Sequence, residues 1–223
     1  MSSAESSLQR YSRVAVLLHW SIALLIVSNL VVGFVMENLS GATRTAVISF
    51  HVSSGMTVLA LTVLRVLWRL THAPPPYDTG MRGWERHAAS IVHASLYMLM
   101  VAMPLCGWAL VSANPPAGSA GAAALAAERA RLAGESAESR RRPPPRTRLI
   151  WGVVPMQPIR AFEQLGQTPE GVPGQKILHD EFVRWHSMGG YLIVGLLLLH
   201  VGGALKHQFM DGHATFARMG LGR

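Results

Sequence analysis

Four long blocks of apolar residues constrain the fold of this chain more than any other feature. They cover residues 14–36, 47–70, 87–112 and 183–205. A helix needs roughly 20 apolar residues to cross about 30 Å of hydrocarbon at about 1.5 Å per residue, and each block reaches that length. Half of the 223 residues are hydrophobic and 14% are charged. The blocks predict an all-α protein with a single domain, a transmembrane four-helix bundle that contacts membrane lipid.

Basic residues near the ends of the blocks predict how the bundle is oriented. They surround both termini and the connection between the second and third blocks, whereas the first connection carries only Arg44. Cytoplasmic loops carry an excess of Lys and Arg, so both termini are predicted to lie in the cytoplasm. The residues concerned are Arg10, Arg13, Arg65, Arg69, Arg82, Arg86, Lys206, Arg218 and Arg223. The first block is too long for the apolar part of a typical signal peptide, and we interpret it as a retained helix.

The connection between the third and fourth blocks, residues 113–182, is then a long loop on the outer side. Residues 113–148 are rich in Ala, Pro, Gly and Arg, a composition typical of a flexible segment, although residues 120–132 can form a short helix. The apolar stretch 149–159 is predicted to lie on the membrane surface or to cover the bundle. The formal net charge of +8 is spread over both sides, so we do not predict nucleic-acid binding.

Five histidines lie within the predicted spans, where polar side chains are costly and usually functional. Their depths form two levels. His19 is five residues inside the cytoplasmic start of the first span, and His200 is five residues inside the cytoplasmic end of the fourth. His51 and His186 are four and three residues inside the outer starts of the second and fourth spans. His93, in the third span, lies near the cytoplasmic level.

The spacing within the fourth span is the most specific signal. His186 and His200 are 14 residues apart, which at about 100° per residue returns to within about 40° of the same face, with a rise of about 21 Å. If each imidazole meets a histidine from another helix, the two pairs can hold two b-type haems stacked across the membrane, because neutral imidazole is a good iron ligand. Gly55, Gly189 and Gly190 lie about one turn from these histidines. We interpret these glycines as making room for porphyrin rings, in preference to the alternative that they allow close helix packing.

Four stretches of this sequence match a known family. They are YSRVAVLLHW (11–20), HVSSG (51–55), VLRVLWRL (63–70) and RWHSMGGYLIVGLLLLH (184–200). The chain resembles the bacterial cytochrome b561 family, four-helix, di-haem cytochromes b of the inner membrane. The resemblance implies that His19 and His200 ligate the haem nearer the cytoplasm, and that His51 and His186 ligate the outer haem.

Two further residues are candidates for cofactor binding. His93 can compete with His19 as the partner of His200, hydrogen-bond a propionate or a quinone, or pair with a neighbouring helix; the family pattern favours His19 as the ligand. Arg13, one and a half turns before His19, can neutralise a haem propionate or serve only as a topology charge. The remaining histidines are expected to be solvated. They are His72, His87, His179, His207 and His213.

Two hypotheses for the function remain open. Nothing in the sequence resembles a nucleotide-binding glycine loop or a flavin site, so electrons are expected to enter or leave through the quinone pool. In the first hypothesis the chain is an oxidoreductase; the resemblance implies ubiquinone as a substrate and allows superoxide as the outer reductant, attracted by basic loop residues. In the second, the chain is a di-haem membrane anchor that passes electrons between quinone and a peripheral dehydrogenase or a soluble periplasmic cytochrome. The loop arginines are Arg140, Arg141, Arg142, Arg146 and Arg148.

Overall fold

The structure is a computed structural model that describes residues 10–77, 80–132 and 148–221. Its helices are α1 (Arg13–Val35), α2 (Gly41–Thr71), α3 (Gly83–Ser112), α4 (Ala120–Leu132), α5 (Arg160–Gln164), α6 (Val172–Phe209) and α7 (Thr215–Arg218). Short 3-10 turns cover Met36–Asn38 and Pro169–Gly171. Two antiparallel strands, β1 (Leu149–Ile150) and β2 (Val154–Pro155), form a small hairpin.

The four long helices α1, α2, α3 and α6 confirm the predicted spans. Each is long and apolar enough to cross a membrane. Their outward faces are apolar as well: Leu17, Leu24 and Val31 recur every seven residues along α1, and more than half of each is exposed. Such a surface is suited to lipid and not to water. The chain is therefore a multi-pass membrane protein.

The observed helices extend beyond the apolar blocks at most of their ends. The helix α2 begins six residues before the predicted start at residue 47, and α6 begins eleven residues before residue 183. The added turns contain polar residues, and hydropathy detects only the apolar part of a helix. At 38 residues, α6 is about 57 Å long, well beyond the hydrocarbon thickness. Its first turns therefore project beyond the membrane into the long loop.

Consecutive long helices pack against each other, so the bundle is antiparallel. The helix α1 contacts α2, α2 contacts α3, and α3 contacts α6. We call the end where α1 and α3 begin and α2 and α6 finish the termini end, and the opposite one the loop end. At the termini end, Tyr11 N donates to Arg218 O at 3.2 Å and Trp20 Nε1 donates to Met219 O at 3.1 Å. The C-terminal segment thus joins the end of α6 to the start of α1.

A small apolar core crosses the middle of the bundle. Ile22, Val58 and Met100 are buried and contact one another. On α6, Ile193 is also buried, midway between His186 and His200. Most other apolar side chains point outward, as expected where lipid takes the place of a larger core. This layer separates the two halves of the bundle interior.

The long loop is more ordered than its composition predicts in the part that the structure describes. The predicted short helix at residues 120–132 is confirmed as α4. It packs so closely on the segment before α6 that a Cβ at Gly121 would lie 2.0 Å from Gly166 O. Gln175, 1% exposed, donates to Phe162 O at 2.8 Å and Glu163 O at 3.1 Å. Residues 133–147 of the predicted flexible stretch lie outside the described residues.

The apolar stretch 149–159 covers the bundle. Trp151 N donates to Ser53 Oγ and its Nε1 donates to Thr57 Oγ1, both at 2.9 Å. Trp108 Nε1, on α3, donates to Gln157 O at 2.8 Å. These bonds hold the hairpin and the residues after it against α2 and α3. Of the two predicted positions for this stretch, the structure favours the one that covers the helices.

Gln175 provides a test of how the loop end is held together. The variant Gln175→Ala removes the donor of two carbonyls at the end of α5, and buried acceptors without donors cost about 1–3 kcal/mol. We expect amide hydrogen exchange of residues 160–167 to become about tenfold faster or more, with the spans unaffected. The exposed neighbour Lys176→Ala is the matched control and should leave this exchange unchanged. Equal exchange in both variants would contradict the assigned role of Gln175.

Candidate functional site

The five histidines of the spans form two clusters inside the bundle. At the loop end, the ring centroids of His51 on α2 and His186 on α6 are 5.9 Å apart, with an interplanar angle of 71°. At the termini end, those of His19 on α1 and His200 on α6 are 6.0 Å apart at 60°. His93 on α3 joins the second cluster, 5.0 Å from His200. All five are half-buried. The structure therefore brings together the predicted partners at both levels.

The helix α6 sets the separation of the clusters. His186 and His200 lie on one regular helix, 14 residues and about 21 Å apart. Ile193 lies midway between them and is 7% exposed, so the same face of α6 points into the bundle along this length. The apolar layer of the core lies between the two clusters. Each cluster is therefore a separate site at its own depth.

The distance within each pair matches coordination of one iron by two imidazoles. Imidazole nitrogens that bind opposite sides of one iron, each about 2 Å from it, place their ring centres about 6 Å apart. The pairs His51–His186 and His19–His200 meet this value at 5.9 and 6.0 Å, whereas His93–His200 is shorter at 5.0 Å. In addition, His186 Nδ1 is buried without a hydrogen-bond partner in the described part of the chain. In residues 10–77, 80–132 and 148–221 no carboxylate forms an ion pair with these four imidazoles, so each is suited to bind a metal.

Small residues leave room around the loop-end pair. A Cβ at Gly33 would lie 3.5 Å from His51 Cε1, and one at Gly107 would lie 3.2 Å from His186 Cε1. Larger side chains at these positions would press on the rings. Neither glycine was predicted from the sequence. The position of each glycine in the sequence could have indicated this role, because each lies near the loop end of its helix.

The three glycines predicted to make room for porphyrin rings have different surroundings. A Cβ at Gly189 would lie 2.2 Å from Met103 Sδ, so close helix packing accounts for this residue. At Gly55 a Cβ would meet Asn29 Nδ2 at the ordinary distance of 3.4 Å, and at Gly190 it would meet nothing within 4 Å. For Gly189 the alternative of close packing is therefore the better interpretation.

Asn29 lies beside the loop-end pair and was not predicted. Its side-chain amide reaches within 3.2 Å of His51 Nδ1 and 2.7 Å of Ser54 Oγ. An amide offers both a donor and an acceptor, so it can orient the His51 ring in either tautomer. Polar groups of this kind commonly position metal-binding histidines. The signal in the sequence was a lone amide within the first apolar block.

Arg65 is the second unpredicted residue, at the termini-end cluster. Its Nη1 lies 3.0 Å from His19 Nδ1, and its Nε donates to the Tyr97 hydroxyl at 2.8 Å. The guanidinium also lies over the Tyr97 ring, 5.5 Å from its centroid. From the sequence, Arg65 was predicted only to contribute to the orientation of the bundle. Arg65 follows His51 by 14 residues, the same spacing as the pair on α6, and this spacing could have placed it at the level of the cluster.

Arg13 and His179 lie apart from both pairs. Arg13 is exposed at the first residue of α1, and its side chain makes no hydrogen bond or ion pair within residues 10–77, 80–132 and 148–221. His179 is two turns before His186 on the same face of α6. It was expected to be solvated, but it is half-buried, and its Nδ1 is buried without a hydrogen-bond partner among the described residues.

Comparisons with known proteins agree with this arrangement. The model of the family described as prokaryotic cytochrome b561 matches residues 10–222. Cytochrome b561 homolog 2 of Escherichia coli K12 is 29% identical over 109 residues, which are 48% of this chain and 57% of that protein. Cytochrome b562 of Cereibacter sphaeroides is 32% identical over 103 residues, 44% of this chain and 63% of that protein.

The relatives and the family model differ in how much they cover. A second Escherichia coli protein, cytochrome b561 homolog 1, is 28% identical over 111 residues, 47% of this chain and 61% of its own length. The chain thus spans less than two thirds of each of these relatives. The family model, in contrast, covers all four long helices and both histidine clusters. The chain belongs to the prokaryotic cytochrome b561 family.

Proposed function

We propose that this chain transfers electrons across a bacterial inner membrane through two b-type haems, each ligated by two histidines. His51 and His186 hold one haem at the loop end, and His19 and His200 hold the other at the termini end. The observation that carries the proposal is the pair of matching centroid distances, 5.9 and 6.0 Å, one pair at each end of the same face of α6. A bound haem iron cycles between the ferric and ferrous forms and passes one electron at a time.

In this proposal His93 positions the termini-end pair and is not an axial ligand. Its ring meets His200 edge-on, with an interplanar angle of 72° and centroids 5.0 Å apart. That contact restricts rotation of the His200 ring. The distance is shorter than the value of about 6 Å for two imidazoles that bind opposite sides of one iron, which supports His19 as the ligand. Ligation by His93 in place of His19 is the alternative that the variants below distinguish.

The termini end faces the cytoplasm in the proposed orientation. Basic side chains are concentrated there, and cytoplasmic loops near short spans carry such an excess. The residues of this end that the structure describes include Arg10, Arg13, Arg65, Arg69, Arg82, Arg86, Lys206 and Arg218. The loop end, with α4, α5 and the hairpin, then lies on the outer side of the membrane.

Ubiquinone is the proposed membrane substrate at the termini end. A cavity of about 580 Å³ opens there, lined by residues that include Arg65, Trp68, Arg69 and Tyr97. Because Arg65 both lines this cavity and contacts His19, a quinone ring in the cavity would lie next to the termini-end pair. The Tyr97 hydroxyl and the guanidinium groups can hydrogen-bond quinone oxygens. The cytoplasm supplies the protons that reduction of the quinone requires.

Superoxide is the proposed electron donor at the outer face. Two superoxide anions lose one electron each and become dioxygen; ubiquinone gains both electrons and two protons and becomes ubiquinol. Basic residues of the outer loop would attract the anion. Of the five predicted arginines, Arg148 lies among the described residues, and Arg140, Arg141, Arg142 and Arg146 lie outside them.

The second candidate is a di-haem membrane anchor that exchanges electrons with a peripheral dehydrogenase or a soluble periplasmic cytochrome. The specific observation in its favour is the exposed apolar hairpin at the loop end. Val153 is 77% exposed, and Val154 and Trp151 are more than half exposed. An apolar surface of this kind can serve as a docking site for another protein.

One assay separates the two candidates. Purified haem-loaded protein is supplied with superoxide from an enzymatic source and a soluble ubiquinone analogue, and ubiquinol formation is followed with and without superoxide dismutase. The proposal expects ubiquinol formation that the dismutase abolishes. Fully reducible haems with no ubiquinol formed from superoxide would reject the superoxide hypothesis. Recovery of a soluble redox subunit with the chain from native membranes would then favour the anchor.

Haem content after histidine substitution tests the ligand assignment. We expect about two b haems per chain by pyridine haemochrome assay, and about one in each of the variants His19→Ala, His51→Ala, His186→Ala and His200→Ala. His93→Ala should keep two. The exposed residue His87 supplies the matched control, and His87→Ala should also keep two. If His93→Ala kept one haem and His19→Ala kept both, the ligand would be His93 and not His19.

Substitution of Arg65 tests its electrostatic role at the termini-end pair. A positive charge near an iron favours the ferrous form, so Arg65→Gln should lower the midpoint potential of one haem by tens of millivolts. The other haem, on the far side of the apolar layer, should change little. Arg86→Gln removes an exposed charge at the same end and is the matched control. Potentials are read by optical redox titration, and equal shifts in the two variants would refute a specific effect of Arg65.

A further inference from the structure

The end of α6 and the turn that follows it bring together three potential metal ligands, His207, Asp211 and His213. One ligand atom of each lies within 4.8 Å of the other two. His207 Nδ1 lies 2.7 Å from Asp211 Oδ2, and the ring centroids of the two histidines are 5.8 Å apart. The proposed haem ligation uses none of the three. His207 is two turns beyond His200, so the cluster is distinct from the termini-end pair.

The backbone fixes the turn that carries this cluster. The amides of Met210 and Asp211 both donate to Lys206 O, at 2.8 and 3.2 Å, and His213 N donates to His207 O at 2.9 Å. Gly212 has a φ of +71°, a conformation that favours glycine. The chain therefore reverses tightly after α6, and this reversal returns His213 to His207. The two imidazoles and the carboxylate are held near one another before any ligand binds.

The charge of the site suits a cation. Asp211 Oδ2 accepts a hydrogen bond from Lys206 Nζ at 2.6 Å and lies 2.7 Å from His207 Nδ1, contacts typical of a negatively charged carboxylate. The last carbonyls of a helix carry partial negative charge, and the site lies beside those of α6. Two histidines and one carboxylate form the donor set of zinc sites that keep a coordination position for water. His207 and His213 are half-buried, so bulk water has limited access to their imidazole nitrogens.

Lys206 is the competitor for the carboxylate. Its Nζ lies 2.6 Å from Asp211 Oδ2 and 2.8 Å from Glu85 Oε1. A metal ion that takes Asp211 weakens one of these ion pairs and leaves the other, because Glu85 remains available to the ammonium group. The free energy of metal binding therefore includes the loss of one partly exposed ion pair. Removal of the lysine charge should raise the affinity of the site for the metal.

We propose that His207, Asp211 and His213 bind one divalent first-row transition-metal ion, with Zn²⁺ the best match, and that water completes the coordination. Ligand atoms that lie up to 4.8 Å apart need to approach one another by up to about 1.5 Å, through side-chain rotation, to reach the separation of about 3.3 Å in a tetrahedral zinc site. Zinc then fixes the turn between α6 and α7. The segment beyond it contacts Tyr11, which precedes α1, and Trp20 on α1, so the metal stabilises the closure of the termini end beside His19.

The experiment measures Zn²⁺ binding to the haem-loaded protein in competition with a chromophoric chelator. We expect one Zn²⁺ per chain, and a loss of affinity of at least about tenfold in His207→Ala and in His213→Ala. The exposed histidine His72, at the same end of the bundle, provides the matched variant His72→Ala, whose affinity should equal that of the wild type. Lys206→Gln should bind Zn²⁺ more tightly, since it removes the competing charge and keeps a donor for Glu85.

Haem content and X-ray absorption keep the test decisive. Unchanged haem content in each variant separates loss of the metal site from loss of the fold. If His207→Ala loses haem, zinc X-ray absorption of the wild type still decides, and it should show two imidazole nitrogens and one or two oxygens at about 2.0–2.2 Å. Failure of the wild type to bind Zn²⁺, or binding that is the same in His213→Ala, would overturn the proposal. These readouts do not depend on electron transfer, so failure of the zinc proposal is distinguishable from failure of the proposed function.

Discussion

Histidine rings face one another across the bundle interior, and the spacing of the helices and the small residues beside the rings follow from this arrangement. An imidazole in an apolar interior is costly unless a partner satisfies its nitrogens, and the bundle places five of them there. Four form two pairs whose separations of 5.9 and 6.0 Å match two axial ligands on one iron. Because the chain belongs to the prokaryotic cytochrome b561 family, we interpret the two pairs as haem ligands.

The remaining architecture follows from the need to hold each pair open at a fixed depth. The helix α6 contributes one histidine to each pair and keeps them about 21 Å apart, with the buried Ile193 between them. Gly33 and Gly107 keep larger side chains away from the loop-end rings. Arg65 and Tyr97 supply a polar connection from His19 to the cavity at the termini end. The lipid-facing surface needs only apolar side chains, so function is concentrated on the inner faces.

Much of this arrangement could be predicted because membrane spans obey few rules. Block length gave the four helices, and the 14-residue spacing of His186 and His200 gave the common face. The polar first turns of α6 and the bonds of Trp151 to α2 were not predictable in the same way, since they depend on tertiary contacts that hydropathy does not report. The roles of Gly189 and Arg65 also depend on which side chain lies opposite. His207 and His213 look like solvated residues until the turn after α6 returns the second to the first.

Electron paramagnetic resonance of the fully oxidised, haem-loaded protein distinguishes two bis-histidine haems from other arrangements, because the ferric signal reports the axial ligands of each iron. The account predicts two low-spin signals of the bis-imidazole type, together equal to two irons per chain. A single low-spin signal that accounts for one iron would contradict the two-site arrangement. A high-spin signal from either iron would show that one of its two axial histidines is not a ligand.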